Sequence, residues 1–225
     1  MKNKWLGIAL AALVVASALP AHANDAAASG FYIGVNGGVV GASASVKPNT
    51  GVNNDSYSVD MSGATGGAMI GYLNRAGRVS FGVEAELASM DVNGDDTTVV
   101  GGSRTKTELQ LDRGARVRVR VGAGLSQRWF VYGAAGLSQA NSKMTLTSLS
   151  TPGQTASASE RLTGANFGIG GEYAIARHLI ARVEWVYDFY GSTTYSMNRS
   201  NPFFADRELE SLAVFTLRAA LSLKF

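Results

Sequence analysis

Most of the side chains in this sequence that could do chemistry are charged residues spaced two apart. Arg116, Arg118 and Arg120 alternate with valines, Glu84 and Glu86 flank Ala85, and Arg182, Glu184 and Asp188 alternate with Val183, Trp185, Tyr187 and Phe189. A two-residue period puts each such set on one face of an extended strand, with the apolar residues on the other. The residues that nucleophilic or metal catalysis needs are scarce: the chain has 2 His and no Cys. His22 lies in the leader described below, which leaves His178 in a polar turn, without the serine and carboxylate a lipid-modifying hydrolase or acyltransferase requires. A lone histidine without cysteine offers no metal centre. Asp91–Asp96 (DVNGDD) has the composition of a calcium loop, but its glycine is misplaced and Gly102 stands where the bidentate glutamate belongs. Gly168-Ile169-Gly170-Gly171 runs on into Glu172-Tyr173 as a strand and opens no helix, so it is not a dinucleotide fingerprint. No enzyme, no cofactor and no metal are expected.

The elements that carry these charges follow from the same period. In Glu208–Phe225, Ala213, Phe215, Leu217, Ala219, Leu221, Leu223 and Phe225 form one apolar face, opposite a mixed face that includes Arg218 and Glu210. Such a run exceeds the usual soluble strand and suits a tilted membrane crossing. Alternating segments recur at Phe31–Val40, Gly66–Leu73, Val79–Met90, up to about Gly122, Trp129–Gln139, Leu162–Tyr173 and Leu179–Tyr190. Tight turns are expected at Asn74–Arg78, Leu125–Arg128 and Ala174–His178, and long polar loops at Gly41–Gly63, Asp91–Thr107, Asn141–Ser159 and Gly191–Arg207. The count predicts an all-β fold, a closed eight-stranded antiparallel transmembrane up-and-down barrel.

Lys2 and Lys4 precede the apolar run Trp5–Ala18, followed by Pro20 and Ala21-His22-Ala23. That pattern predicts a signal peptide at 1–23, cleaved between Ala23 and Asn24, and a barrel domain at 24–225. Removing two lysines leaves 18 basic against 17 acidic residues, so the chain's charge gives no reason to expect a nucleic-acid partner. Export without cysteines points to the outer membrane of a diderm bacterium.

An eight-stranded barrel is nearly filled by its own side chains. The inward set is read as Glu84, Glu86, Arg116, Arg118, Arg120, Glu172, Arg182, Glu184, Asp188, Glu210 and Arg218, near balance in sign, with Gly34, Gly38, Gly82, Gly168 and Gly170 making room for the arginines. Buried charges of this number must pair or keep water. Aromatics at strand ends (Phe31, Tyr32, Tyr72, Trp129, Tyr187, Phe189, Tyr190, Phe225) suit interfacial girdles.

The FYIGVNGG opening, FGVEAEL, GIGGEYAIARHLIARVEWVYDFYG and the terminal LSLKF together resemble the small eight-stranded outer-membrane barrels, the OmpA-like transmembrane domain and its stand-alone OmpX/Ail-type relatives. The resemblance implies that Phe215, Leu217, Leu221, Leu223 and Phe225 serve as the signal read by the barrel-assembly machinery, with periplasmic chaperones as transient partners. It also implies contact with outer-membrane lipid and lipopolysaccharide. With the sequence stopping at Phe225, no periplasmic cell-wall-binding domain is expected. The expected role is a structural, surface-displaying barrel whose loops meet an extracellular ligand; the alternative is a narrow porin-like channel.

Overall fold

The computed structural model describes residues 29–48, 56–100, 103–197, 200–201 and 204–225; the expected signal peptide and its cleavage at Ala23 and Asn24 lie outside the described residues. The strands are β1 (Gly30–Pro48), β2 (Tyr57–Ala76), β3 (Val79–Val100), β4 (Ser103–Gly124), β5 (Trp129–Ser148), β6 (Thr155–Ala174), β7 (Leu179–Tyr190), β8 (Thr193–Tyr195) and β9 (Arg207–Lys224). Each of β1–β6 pairs antiparallel with the next, β7 pairs with β9, and β9 pairs back with β1. Eight strands therefore close a ring, and the three-residue β8 adds to the far end of β9.

The register fixes the barrel's shape. Hydrogen-bonded partners lead from Phe31 through Tyr72, Val83, Val119, Ala135, Phe167, Tyr187 and Phe215 back to β1 at Gly41, ten residues further along. With standard strand spacings, that stagger tilts the strands by about 40° and gives a radius of about 8 Å. Three tight turns, at 77–78, 125–128 and 175–178, lie at the same end as Gly30 and Phe225. Gly77 takes φ +63° in the first of these, a left-handed position natural to glycine. Short turns mark the periplasmic rim.

From that rim upward the outer face is apolar for about 25 Å, the height of a membrane's hydrocarbon core. It begins at Phe31, Phe81, Trp129 and Phe225 and ends near Val39, Leu87, Leu137, Phe189 and Phe215. Phe31 packs edge-on against Tyr72, and Trp129 against Tyr173, at the lower margin. Tyr32 and Tyr190 do not join these girdles: both are buried inside the barrel, because each falls on the inward parity of its strand.

Above the belt the pattern inverts. On β1, Val39 is the last apolar side chain facing out; Val40, Ala42, Ala44 and Val46 then face in while Ser43 faces out. The same exchange gives β5 inward Ala140, Met144 and Leu146. The expected loops at Gly41–Gly63, Asp91–Thr107 and Asn141–Ser159 are thus largely strand, with 49–55 and 101–102 outside the described residues. Most of the Ser, Thr and Asp residues described there form the water-facing side of a wall that stands roughly 20 Å clear of the membrane, while Thr105, Thr107, Ser142 and Ser148 face in. Among the described residues, only those of Gly191–Arg207 stay mostly irregular. Because β7 ends at Tyr190, this segment completes the wall: Ser200 Oγ accepts from Ser157 N at 3.0 Å and Asn201 Nδ2 donates to Gln154 Oε1 at 2.7 Å.

Two irregularities change which way side chains point. An extra residue in β4 between Leu111 and Arg113 leaves Asp112 and Arg113 both exposed, so inward parity passes from odd above to even below. In β9, Glu210 is the extra residue opposite Ser45/Val46. Glu210 consequently lies outside the lumen, against expectation, and its carboxylate accepts from Ser45 at 3.0 Å and Ser56 at 2.8 Å. Those hydrogen bonds hold it below the ordinary glutamate value.

Candidate functional site

The lumen at membrane level is lined by β3, β4, β6, β7 and β9, whose inward positions carry the alternating charges. Direct cross-strand partners are Glu84 with Arg118, Glu86 with Arg116, Glu172 with Arg182, and Glu184 with Arg218. Each pair is bonded, and each arginine also reaches across the barrel. Arg116 Nη2 meets Asp188 Oδ2 at 2.6 Å, Arg118 Nη1 meets Glu184 Oε1 at 2.9 Å, and Arg120 Nη2 meets Glu172 Oε1 at 2.5 Å. Arg182 Nη1 meets Glu84 Oε2 at 2.6 Å, and Arg218 bonds Glu86. Ten of the eleven residues predicted for the lumen, all but Glu210, therefore meet in one network of five guanidiniums and five carboxylates, all buried.

Glu84 is its hub. Its two oxygens accept from Arg118 Nε at 3.2 Å, Arg182, Arg120 and the Tyr32 hydroxyl at 2.6 Å. Tyr32 Oη in turn accepts from Arg120 Nη1 at 3.0 Å. Tyr132 covers the Arg120 guanidinium at 3.8 Å from its ring centre, a cation–π contact. Asn36 Nδ2 donates to Glu86 at 3.4 Å. Sequence reading missed Tyr32, Asn36 and Tyr132, although the even parity of β1 and β5 places all three inward. The glycines divide the work differently from expectation. A Cβ on Gly168 would sit 3.0 Å from Glu184 Oε1 and 3.2 Å from Arg118 Nη1, so this glycine does make room for the ion pairs. One on Gly170 would sit 2.5 Å from the Tyr132 ring, so Gly170 makes room for a tyrosine. At Gly34, Gly38 and Gly82 the nearest atoms belong to the adjoining strand or to Ser222, not to an arginine head.

Above the charged layer the barrel is stoppered by apolar side chains. Val40, Met61, Met90, Val92, Leu109, Leu111, Met144, Leu146, Leu212 and Val214 form one buried cluster, joined from segment 191–206 by Tyr195, Met197 and Phe204. At the periplasmic mouth Arg75 lies over Phe130 at 3.5 Å and 3.8 Å from Glu172, and Lys224 is buried beside it.

The other predicted residues fall elsewhere. Phe215, Leu217, Leu221, Leu223 and Phe225 face outward on β9. His178 sits in the third periplasmic turn with Nδ1 2.9 Å from the Lys224 carbonyl oxygen. Asp91, Asn93 and Asp95 lie on the outer wall of β3 rather than around a loop.

Over residues 8–204 the sequence matches the family described as the outer membrane protein beta-barrel domain. The chain belongs to that family. It is therefore an outer-membrane β-barrel protein and lies in the bacterial outer membrane. Among family relatives, the 31 kDa outer-membrane immunogenic proteins of Brucella melitensis and of Brucella suis are each 29% identical to it over 210 residues, covering 88% of this chain and 83% of theirs. The outer-membrane protease OmpT of Escherichia coli superposes with a TM-score of 0.50 at 8% identity, covering 87% of this chain and 97% of its own. OprG of Pseudomonas aeruginosa gives a TM-score of 0.49 at 13% identity, covering 87% and 96%. At 8% identity the likeness to OmpT shows a shared fold and nothing finer.

Proposed function

We propose that this family member is a non-conducting, non-enzymatic barrel whose task is to hold a rigid β-sheet turret above the outer membrane for contact with the surroundings. The observation that carries this reading is the double closure of the lumen. A neutral network of ten buried charged side chains fills the membrane layer, and an apolar cluster from all eight strands of the ring and segment 191–206 fills the layer above. An ion would have to break several desolvated guanidinium–carboxylate bonds and then cross a dry section, each step costing several kcal/mol. The charged face outside the turret and its four hairpin tips remain available to partners, as suits relatives named for their immunogenicity.

Planar-bilayer recording of the refolded mature barrel tests the closure. The expected trace is flat at moderate voltage; reproducible unitary steps that vanish in Arg116, Arg118 or Arg120 variants would establish the channel instead. Accessibility of the turret is read on intact cells, where antibodies raised to the β3–β4 or β5–β6 hairpin tips should bind without permeabilisation.

A further inference from the structure

The ten-residue network is neutral, but the lower end of the barrel adds two more buried cations. Arg75 on β2 and Lys224 on β9 face inward at the periplasmic mouth, the Arg75 side chain 5% exposed and Lys224 4%. Along the tilted strands both come level with Gly30, one on each side of β1. The lysine stem leans across that glycine, where a Cβ would sit 3.6 Å from Lys224 Cε. From the other side Arg75 reaches over the Phe130 ring.

Neither cation is matched. Among the described residues Lys224 Nζ makes no hydrogen bond, and neither do Arg75 Nε and Nη1. Arg75 Nη2 stands 3.8 Å from Glu172 Oε2, while Oε1 of that carboxylate is already shared by Arg120 and Arg182. The carboxylate of Phe225, at the same rim, takes no hydrogen bond from Lys224 Nζ or from Arg75 Nε and Nη1. Ser222 Oγ, one inward position above Lys224, is also buried and unbonded. A buried cation without a counter-charge is strongly unfavourable, and a guanidinium cannot escape by losing its proton.

The approach to the mouth is basic as well. Each of the three periplasmic turns carries one exposed arginine, Arg78, Arg128 or Arg177, and none of the three holds an aspartate or glutamate. Spaced around the rim, these charges add over the opening and draw anions toward it.

We infer that the periplasmic mouth binds one free inorganic phosphate, held by Lys224 and Arg75 with the Ser222 hydroxyl as a further donor. A dianion answers the two excess charges, and phosphate oxygens accept the charge-assisted hydrogen bonds that both side chains have to give. A free ion suits the place better than a phosphate carried on a lipid, because both cations are almost wholly covered. Occupancy stabilises the folded barrel by mass action and so ties its stability to periplasmic phosphate. This site goes beyond the surface-display reading and does not depend on it.

The test is titration calorimetry of inorganic phosphate into the refolded mature barrel in neutral detergent near neutral pH, with chloride holding the ionic strength constant. Parallel arms use acetate, a monoanion, and short-chain phosphatidylglycerol, a lipid-borne phosphate diester. One saturable site is expected for phosphate and none for the other two. K224M and R75Q should each weaken binding by roughly 10- to 100-fold, as the loss of a charge-assisted hydrogen bond does. The R78Q/R128Q/R177Q variant changes only exposed turn residues, so it keeps the fold; its affinity should fall at low ionic strength and recover toward the parent's as salt is raised. The gel shift between boiled and unboiled samples shows that each variant is folded before titration. D25N, which removes the acid preceding β1 in sequence, should bind as the parent does. Absence of a saturable phosphate site, an equal response to acetate or to the lipid, or undiminished binding by any of the three basic-residue variants would overturn the assignment. So would phosphate binding seen only after D25N, since the chain would then supply its own anion.

Discussion

Replacing Glu84 by glutamine removes one negative charge from the centre of the lumen while keeping the side chain's shape. Three guanidiniums touch that carboxylate: Arg118, Arg120 and Arg182. After the change Arg118 retains Glu184, and Arg120 and Arg182 retain Glu172, but five cations share four anions in a dry interior. Removing one partner of a buried pair costs about 3–5 kcal/mol, and the surviving bonds argue for the middle of that range, about 4 kcal/mol. Restoring neutrality should recover much of the loss. In the E84Q/R182M double variant the charges again balance, Glu172 keeps Arg120, and the total cost should fall to about 2 kcal/mol. Urea unfolding in lipid vesicles measures both values, with Trp129 and Trp185 as reporters, since both rings face outward into the apolar belt. A loss under about 1 kcal/mol for E84Q, or a double variant no better than the sum of its singles, would refute the reasoning. It would mean that water reaches these charges and screens them.

Other perturbations separate the layers of the barrel. Leu111→Ala, in the apolar stopper, should destabilise by about 2–4 kcal/mol through the cavity it leaves, whereas Leu137→Ala on the lipid face should cost under about 1 kcal/mol, both by vesicle unfolding. Gly170→Ala drives a methyl into the Tyr132 ring and should cost about 1–3 kcal/mol; Gly133→Ala, facing lipid, should be neutral in the same assay. Phe225→Ala should lower the amount of barrel reaching the outer membrane in cells while leaving refolding of the purified protein unchanged, because its ring is 71% exposed and makes little of the packing.

The part of the fold legible in the sequence is the part inside the membrane. There greasy and polar residues alternate without interruption, as in Leu179–Tyr190, and the parity of Arg116, Arg118 and Arg120 is enough to aim them inward. Because strands three and four are consecutive, the acids of one are readable as neighbours of the arginines of the other; that the pairs are Glu84–Arg118 and Glu86–Arg116 is set by the register. The bonds across the lumen, such as Arg116 to Asp188, depend on barrel closure and stagger, which no local pattern encodes. Above the membrane the residues still alternate, but weakly: Val40, Ala42, Ala44 and Val46 interleave with Gly41, Ser43, Ser45 and Lys47, small residues on both sides that read as loop composition. Two single-residue irregularities did the remaining damage, sending Glu210 and Arg113 outward where an unbroken count of two either misplaces them or cannot decide.

The hydrogen-bonded ladder that continues past the bilayer has an evolutionary corollary. In a loop, a residue gained or lost is absorbed locally. In the ascending wall at Gly41–Val46, one added residue would exchange the dry and wet faces for the rest of the strand and slip its pairing with both neighbours. Exterior change in this protein is accordingly channelled into substitutions on the water-facing side and into growth at the hairpin tips.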